Sequence, residues 1–265
     1  MPTRRAFALC AAALALGAGP FGTPQPAIAQ SGPPVIAAAA DLSFAIEEIA
    51  ARFKAETGTG VRLSLGSTGN FARQIREGAP FQMFMAADEQ FVTDLHRDGF
   101  TRDAGTLYGI GRIVVMVPEG STLVADGTLD SLRVALEAGQ ITRFAIANPE
   151  HAPYGQRAEE ALRHAGLWDR VQPHLVLGEN VSQAAQFALS GNAEGGIIAA
   201  SLALAPGVAA RGSHDLIPED WHAPLRQRMV LLNSAGPEAE AFYAYLQTPP
   251  ARAIMARYGF TLPQE

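Results

Sequence analysis

Four short stretches carry small, hydroxyl or amide-bearing residues where an apolar run gives way to a helical pattern. They are Ala40-Asp41-Leu42-Ser43, Gly66-Ser67-Thr68-Gly69-Asn70, Ala152-Pro153-Tyr154-Gly155 and Glu179-Asn180-Val181-Ser182. The start of a helix leaves backbone N–H groups unpaired and carries about half a positive charge. Several such starts turned on one crevice bind an anion without lysine or arginine. Taken singly, each Ser or Thr is most simply a helix cap; four such turns split between two halves of the chain favour binding. Other chemistries lack their patterns. Gly66-Ser67-Thr68-Gly69 is neither G-x-S-x-G nor a phosphate loop followed by lysine. The six histidines form no H-E-x-x-H, and His151 and His164 are thirteen apart, so they read as surface or loop residues. A hydrolase using Ser43 or Ser67 has no His–Asp pattern beside it. Arg73 reads as part of a solvated helix face, and Asp88-Glu89 as an acidic helix start. Trp168, Trp221, Phe81, Phe84 and Phe91 read as core.

The elements that must position these turns follow from periodicity. Val35 to Ala39 is a short apolar run, the mark of a buried strand. Leu42, Ala45, Ile46, Ile49, Ala50 and Phe53 then recur at helical spacing up to Gly58. Val61–Leu65 and Met83–Ala86 read as strands, each followed by a helix, the second capped by Asp88. This β-α-β-α-β-α order predicts a mostly parallel sheet with helices on its faces. A second block begins with one long strand from Ile110 to Val117. A helix follows over 129–137, a strand over 143–147, a polar turn over 149–155 and a helix over 156–164. It continues with strands at 174–177 and 195–199 and a helix over 181–189 capped by Asn180. A last strand over 228–232 and two terminal helices are expected to return to the first block. The chain is thus α/β with two blocks of similar kind, and in such sheets a ligand lies beyond the carboxyl ends of the strands.

Composition narrows the function classes. The chain has 265 residues, 48% apolar and 17% charged, with a formal charge of −6. That is enough apolar content for a sizeable core and excludes a disordered tail. Net negative charge argues against nucleic acid as a partner. Arg4 and Arg5 precede an apolar run to Leu16, and Ala27-Ile28-Ala29 is a cleavage-type site, so residues 1–29 read as a signal peptide. The Arg pair fits a twin-arginine signal, with the general secretory route the alternative. Cys10, the single cysteine, lies in this segment, and a lipid anchor there fits poorly after Leu9. Cleavage would leave a cysteine-free chain of net charge −8, since the leader holds two arginines and no acid.

With these features in place, the chain resembles the periplasmic molybdate-binding proteins of ABC transporters. The resemblance spans nearly all of the chain beyond the leader. It rests on Ala-Ala-Asp-Leu-Ser-Phe-Ala at 39–45, Phe-Lys-Ala-Glu-Thr-Gly at 53–58, Ser-Thr-Gly-Asn-Phe-Ala-Arg-Gln-Ile at 67–75 and Gly-Ala-Pro at 78–80. Ala-Ala-Asp at 86–88, Asn-Pro-Glu-His-Ala-Pro-Tyr-Gly at 148–155, Gly-Glu-Asn-Val at 178–181 and Arg-Tyr-Gly-Phe at 257–260 complete it. It implies a two-lobed type II periplasmic-binding-protein fold with a ligand cleft between mostly parallel sheets. Lobe 1 would span 30–111, with 228–265 returning to it, and lobe 2 would span 112–227. It further implies a periplasmic monomer that holds molybdate or tungstate and passes it to a membrane permease, without a cofactor and without catalysis. Carried over by position, the ligand contacts fall on Asp41, Ser43, Ser67 and Thr68 in the first lobe. In the second they fall on Tyr154 and Val181, through backbone N–H groups.

Two positions depart from the pattern. Ile198-Ala199-Ala200 stands where some members place a tyrosine, and Asp41 stands where many have serine. A carboxylate facing a dianion is repelled. Either Asp41 turns away to cap the following helix, leaving Ser43 Oγ as the ligand, or it accepts a proton from a protonated oxyanion such as hydrogen phosphate. The capping propensity of aspartate favours the first. The second keeps phosphate, phosphonate or sulfate open as the ligand of the same fold.

Overall fold

The computed structural model describes residues 32–263. The expected signal peptide and Cys10 therefore lie outside the described residues. Ten strands run along the described chain: β1 (Val35–Ala39), β2 (Arg62–Gly66), β3 (Met83–Ala86), β4 (Thr106–Gly111), β5 (Ile113–Pro118), β6 (Phe144–Ala147), β7 (Leu175–Gly178), β8 (Gly195–Ala199), β9 (Gly212–Leu216) and β10 (Leu225–Leu231). They form two five-stranded sheets, ordered β2-β1-β3-β10-β4 and β7-β6-β8-β5-β9. Each sheet has three parallel strands, then one antiparallel strand delivered by the other half of the chain.

The chain changes sheets at two places, and the first divides a run that the sequence reads as one strand. The run from Ile110 to Val117 is two strands. Gly111 ends β4 in the first sheet, Arg112 stands between, and Ile113 starts β5 in the second. Continuous apolar and β-branched character hides the break, because both sides of it are buried. The chain returns between β9 and β10, and the returning strand begins at Leu225, three residues before the expected start. β4 and β9 were both missed. β9 is Gly-Ser-His-Asp-Leu, with little burial and no apolar alternation to read.

Register brings the loops together. Ala39 at the end of β1 pairs with Gly66 at the end of β2, so the turns that follow lie side by side. Ala147 of β6 pairs with Gly178 of β7 in the same way. Helices begin directly after these ends: Ser43–Thr57, Thr68–Arg76, Pro153–His164 and Val181–Leu189. The third starts three residues earlier than expected. Residues read as the end of a polar turn are its first turn, with Pro153 at the position where a missing N–H costs nothing.

The first sheet is packed on both faces. On one, Phe53 meets Phe242 edge-on at 5.2 Å, and Met255 joins them, so the terminal helices Pro237–Tyr245 and Pro249–Arg257 pack on the first sheet. On the other, Phe71, Phe81 and Phe84 fill the space beneath the helix Thr68–Arg76. The second sheet's core takes in Ala39, Ala40 and Ala87 from the first, so apolar packing runs beneath the junction without a break. Trp168 is buried in that core, and Trp221 packs at its edge, stacked on His164.

Candidate functional site

The four polar turns converge. Residues 39–41, 66–68, 152–154 and 180–181, with Ala87, line one small pocket between the two sheets. Lysine, arginine and histidine are absent from its lining. A larger pocket lies beside β4 and the terminal helix and has no such convergence of helix starts.

Each wall supplies donors of a different kind. On the first-sheet side, Ser67 is the residue before the helix Thr68–Arg76, and Thr68 is its first residue. Thr68 Oγ1 accepts the N–H of Ala87 at 3.0 Å, which leaves its own proton to give. Ser67 Oγ lies 2.9 Å from His151 Nδ1. On the second-sheet side, Tyr154 and Val181 sit in the first turns of their helices, where the N–H groups have no intrahelical partner. Asn180 caps the second of these helices, its Oδ1 accepting the N–H of Gln183 at 3.1 Å. Gly69 is required by close approach: its N–H donates to the His151 carbonyl at 2.9 Å, and a Cβ there would sit 2.6 Å from that oxygen.

Asp41 does not cap a helix. It lies inside a 3-10 turn, Ala40–Leu42, and Leu42 occupies the cap position of the helix that follows. Its side chain is 1% exposed and runs across the cleft floor. Tyr154 Oη donates to Asp41 Oδ2 at 3.0 Å, and Gln227 Nε2 donates to the same oxygen at 2.8 Å. Tyr108 Oη donates to Gln227 Oε1 at 2.7 Å and also reaches the Ala86 carbonyl at 3.2 Å, with the Gln227 nitrogen toward Asp41. Gly111 makes room for this cluster, since a Cβ there would collide with the Tyr154 hydroxyl and the Gln227 amide. Asp41 Oδ1 is buried without a hydrogen-bond partner. Burial pushes the Asp41 carboxyl from 3.8 up to about 6, against the opposing pull of the Gln227 and Tyr154 donors. Burial also pushes the Tyr154 and Tyr108 hydroxyls well up, Asp41 adding to both. The Tyr154 ring thus does more than pack.

Ser43 lies outside the lining of this pocket. It begins a helix rather than facing the pocket, and its hydroxyl donates to the Ala40 carbonyl. That hydroxyl also lies 3.0 Å from Ser182 Oγ, in a separate groove. Arg73 lies on the exposed helix face expected for it. Asp88 caps its helix as expected and also binds Arg157 across the cleft at 2.7 Å.

Sequence reading missed Tyr108, Gln227, His151 and Glu179 as partners of the site. Tyr108 and Gln227 carry no local signal, for they are strand residues that meet only through sheet order. His151 was grouped with loop histidines. With Ser67 and Glu179 it forms a serine–histidine–carboxylate row, yet its Nε2 stands 3.7 Å from Glu179 Oε2. That is beyond hydrogen-bond length, so the base of a catalytic triad is not oriented.

A two-sheet α/β chain with a cation-free pocket between its sheets, lined by helix starts, is the architecture of a solute-binding protein. Residues 34–261 match the family model of bacterial extracellular solute-binding proteins, and the chain belongs to that family. Among its relatives is the molybdate-binding protein ModA of Azotobacter vinelandii, 34% identical over 97% of this chain and 99% of that one. The molybdate-binding protein ModA of Escherichia coli is 34% identical over 91% of this chain and 94% of its own. The solved structure of the Azotobacter vinelandii periplasmic molybdate-binding protein superposes with a TM-score of 0.77 at 30% identity, covering 87% of this chain and all of that one.

Proposed function

We propose that this protein captures molybdate or tungstate in the pocket between its sheets and hands it to the membrane permease of an ABC transporter. The observation that carries this reading is the pocket itself: hydroxyls from one wall and helix-start N–H groups from the other, with no basic side chain between them. The names of the relatives point to the same cargo. The donors bind oxygens of the anion, and no side chain ligates the metal. Ser67, Thr68, Tyr154 and Val181 hold the ion in this reading, with Asp41 at the floor. Ser67 can donate only if His151 carries its proton on Nδ1, giving a relay from His151 to Ser67 to ligand, as Ala87 N–H backs Thr68.

Neutral donors let a negatively charged protein hold an anion. Surface charge is screened within about 8 Å at physiological salt, whereas these donors touch the ligand. Each hydrogen bond to a charged ligand is worth about 1.5–3 kcal/mol. A rigid ring of donors sized for a larger tetrahedral anion leaves some bonds to sulfate too long. In this reading the leader directs the chain to the periplasm, the protein acts as a monomer, and binding involves neither cofactor nor turnover. Replacing Ser67 and Thr68 together by alanine should weaken molybdate binding at least about tenfold, the cost of one charged hydrogen bond. Unchanged affinity in a calorimetric titration would place the cargo elsewhere.

One observation favours a second cargo. The Asp41 carboxyl lies in the pocket lining and caps nothing, as a site for hydrogen phosphate or another protonated oxyanion would have it. Parallel titrations with phosphate and molybdate separate the two readings.

A further inference from the structure

Asp41 holds its two oxygens in unequal surroundings. Both side-chain donors that reach it, Tyr154 Oη and Gln227 Nε2, bond to Oδ2. Tyr108 Oη meets the oxygen end of the Gln227 amide at 2.7 Å and also reaches the Ala86 carbonyl at 3.2 Å, with the amide nitrogen on the Asp41 side. Gln227 Nε2 also lies 2.9 Å from Tyr154 Oη, and Tyr154 gives its own proton to Oδ2. Ser201 Oγ donates to the Asp41 carbonyl at 2.8 Å and leaves the carboxyl untouched. Oδ1 therefore stands alone, fully buried, on a residue that lines the anion pocket.

The groups that face this carboxyl are neutral. Tyr154 comes from the helix Pro153–His164, Tyr108 from β4, Gln227 from β10, and Ser67 and Thr68 from the opposite lip of the pocket. Among the described residues, no lysine, arginine or histidine forms an ion pair or hydrogen bond with Asp41. His151 reaches the pocket's edge only through Ser67. An ionised Asp41 would thus confront a bound dianion with no cation to offset either charge. In so dry a site that repulsion is severe. A proton on Oδ1 removes the repulsion and turns the one unpaired oxygen into a donor, while Oδ2 keeps both of its bonds.

We propose that Asp41 binds the anion as a neutral carboxylic acid whose Oδ1–H donates to a ligand oxygen, so that capture of a molybdate dianion takes up one proton from solvent. This rests on the oxyanion reading of the pocket. The proton passes from buffer to Asp41 Oδ1, the O–H stays intact on binding, and the charge of the buried pair falls from −3 to −2. Asp41 thereby becomes a specificity residue. An anion that brings its own proton, such as hydrogen phosphate, can satisfy the carboxylate without any uptake. The upward displacement of the Asp41 carboxyl by burial agrees with this arrangement.

The test is calorimetric titration of the leader-free protein with sodium molybdate at pH 7.5 in several buffers of different ionisation enthalpy. The expected slope of observed heat against buffer enthalpy corresponds to one proton taken up per molybdate. Affinity should fall about tenfold for each unit from pH 6.5 to 8.5. Asp41→Asn, which supplies an N–H donor in place of the Oδ1 proton, should bind molybdate with no proton uptake and a flat pH profile. Tight molybdate binding by the unmodified protein with no proton uptake would overturn the role of Asp41 and leave the cargo reading standing. No molybdate binding by the unmodified protein would overturn both.

Discussion

Among the side chains that join the sheets across the cleft, two sets sit in opposite surroundings. At the floor, Asp41 and Gln227 of the first sheet meet Tyr154 of the second, with Tyr108 behind them, and all four are buried. At the rim, Asn70 meets Glu179, and His151 lies between Glu179 and Ser67. The Glu179 side chain there is 61% exposed. Water competes for the Asn70–Glu179 contact at the rim and not for the contacts at the floor. A polar contact matters in proportion to what its members lose when it breaks, and that loss is large only where water cannot replace the partner.

The largest effect should come from Asp41 itself. Its carboxyl is raised in the folded protein from 3.8 to about 6, so its contribution to stability is fully present below pH 4 and lost as pH rises through 6. Asp41→Asn should therefore be more stable than the unmodified protein at pH 7.5 by about 2–3 kcal/mol, and the advantage should vanish near pH 4. Urea unfolding of the ligand-free proteins at the two pH values measures this. An equal difference at both would mean that charge is not the cause.

Tyr154→Phe comes next. It deletes the donor from the second sheet and leaves Oδ2 with Gln227 alone. We expect a loss of about 2 kcal/mol at pH 7.5 in the same unfolding assay, with the ring still packed. Removing Gly111's open space by Gly111→Ala should perturb the same cluster, because the added Cβ meets the Tyr154 hydroxyl.

The smallest effect belongs to the rim. Glu179→Gln should shift stability by no more than about 0.5 kcal/mol, as exposed pairs do. It should also leave affinity for the anion within about twofold, equivalent to the same energy. A rim effect as large as the floor effect would break the contrast drawn between them.

The sequence made one side of this contrast easier to read than the other. Strand-to-helix turns have local marks: small residues, hydroxyls, a proline at the helix start and a cap residue such as Asn180. Those marks placed Ser67, Thr68, Tyr154 and Val181 in turns that the fold brings into one pocket. The floor has no local marks. Gln227 lies 186 residues from Asp41 and Tyr154 lies 113 away, and only the order of strands in the first sheet and closure of the second bring them together. The local signal of Asp41 is that of a cap, and two buried donors, Tyr154 Oη and Gln227 Nε2, outweigh that propensity. Ser43 was misread for the related reason that the 3-10 turn moves the helix start forward by a residue or two. Strand β4, and the division of the 110–117 run into two strands, stayed hidden because a buried apolar run looks the same whether it serves one sheet or two.

The most direct measurement is a calorimetric titration of the ligand-free, leader-free protein with molybdate, with sulfate and phosphate run in parallel. Sub-micromolar binding of molybdate at one site per chain, with no heat from sulfate, is the predicted result. Silence with molybdate and a response to phosphate would contradict the proposed cargo and leave only the pocket and its fold.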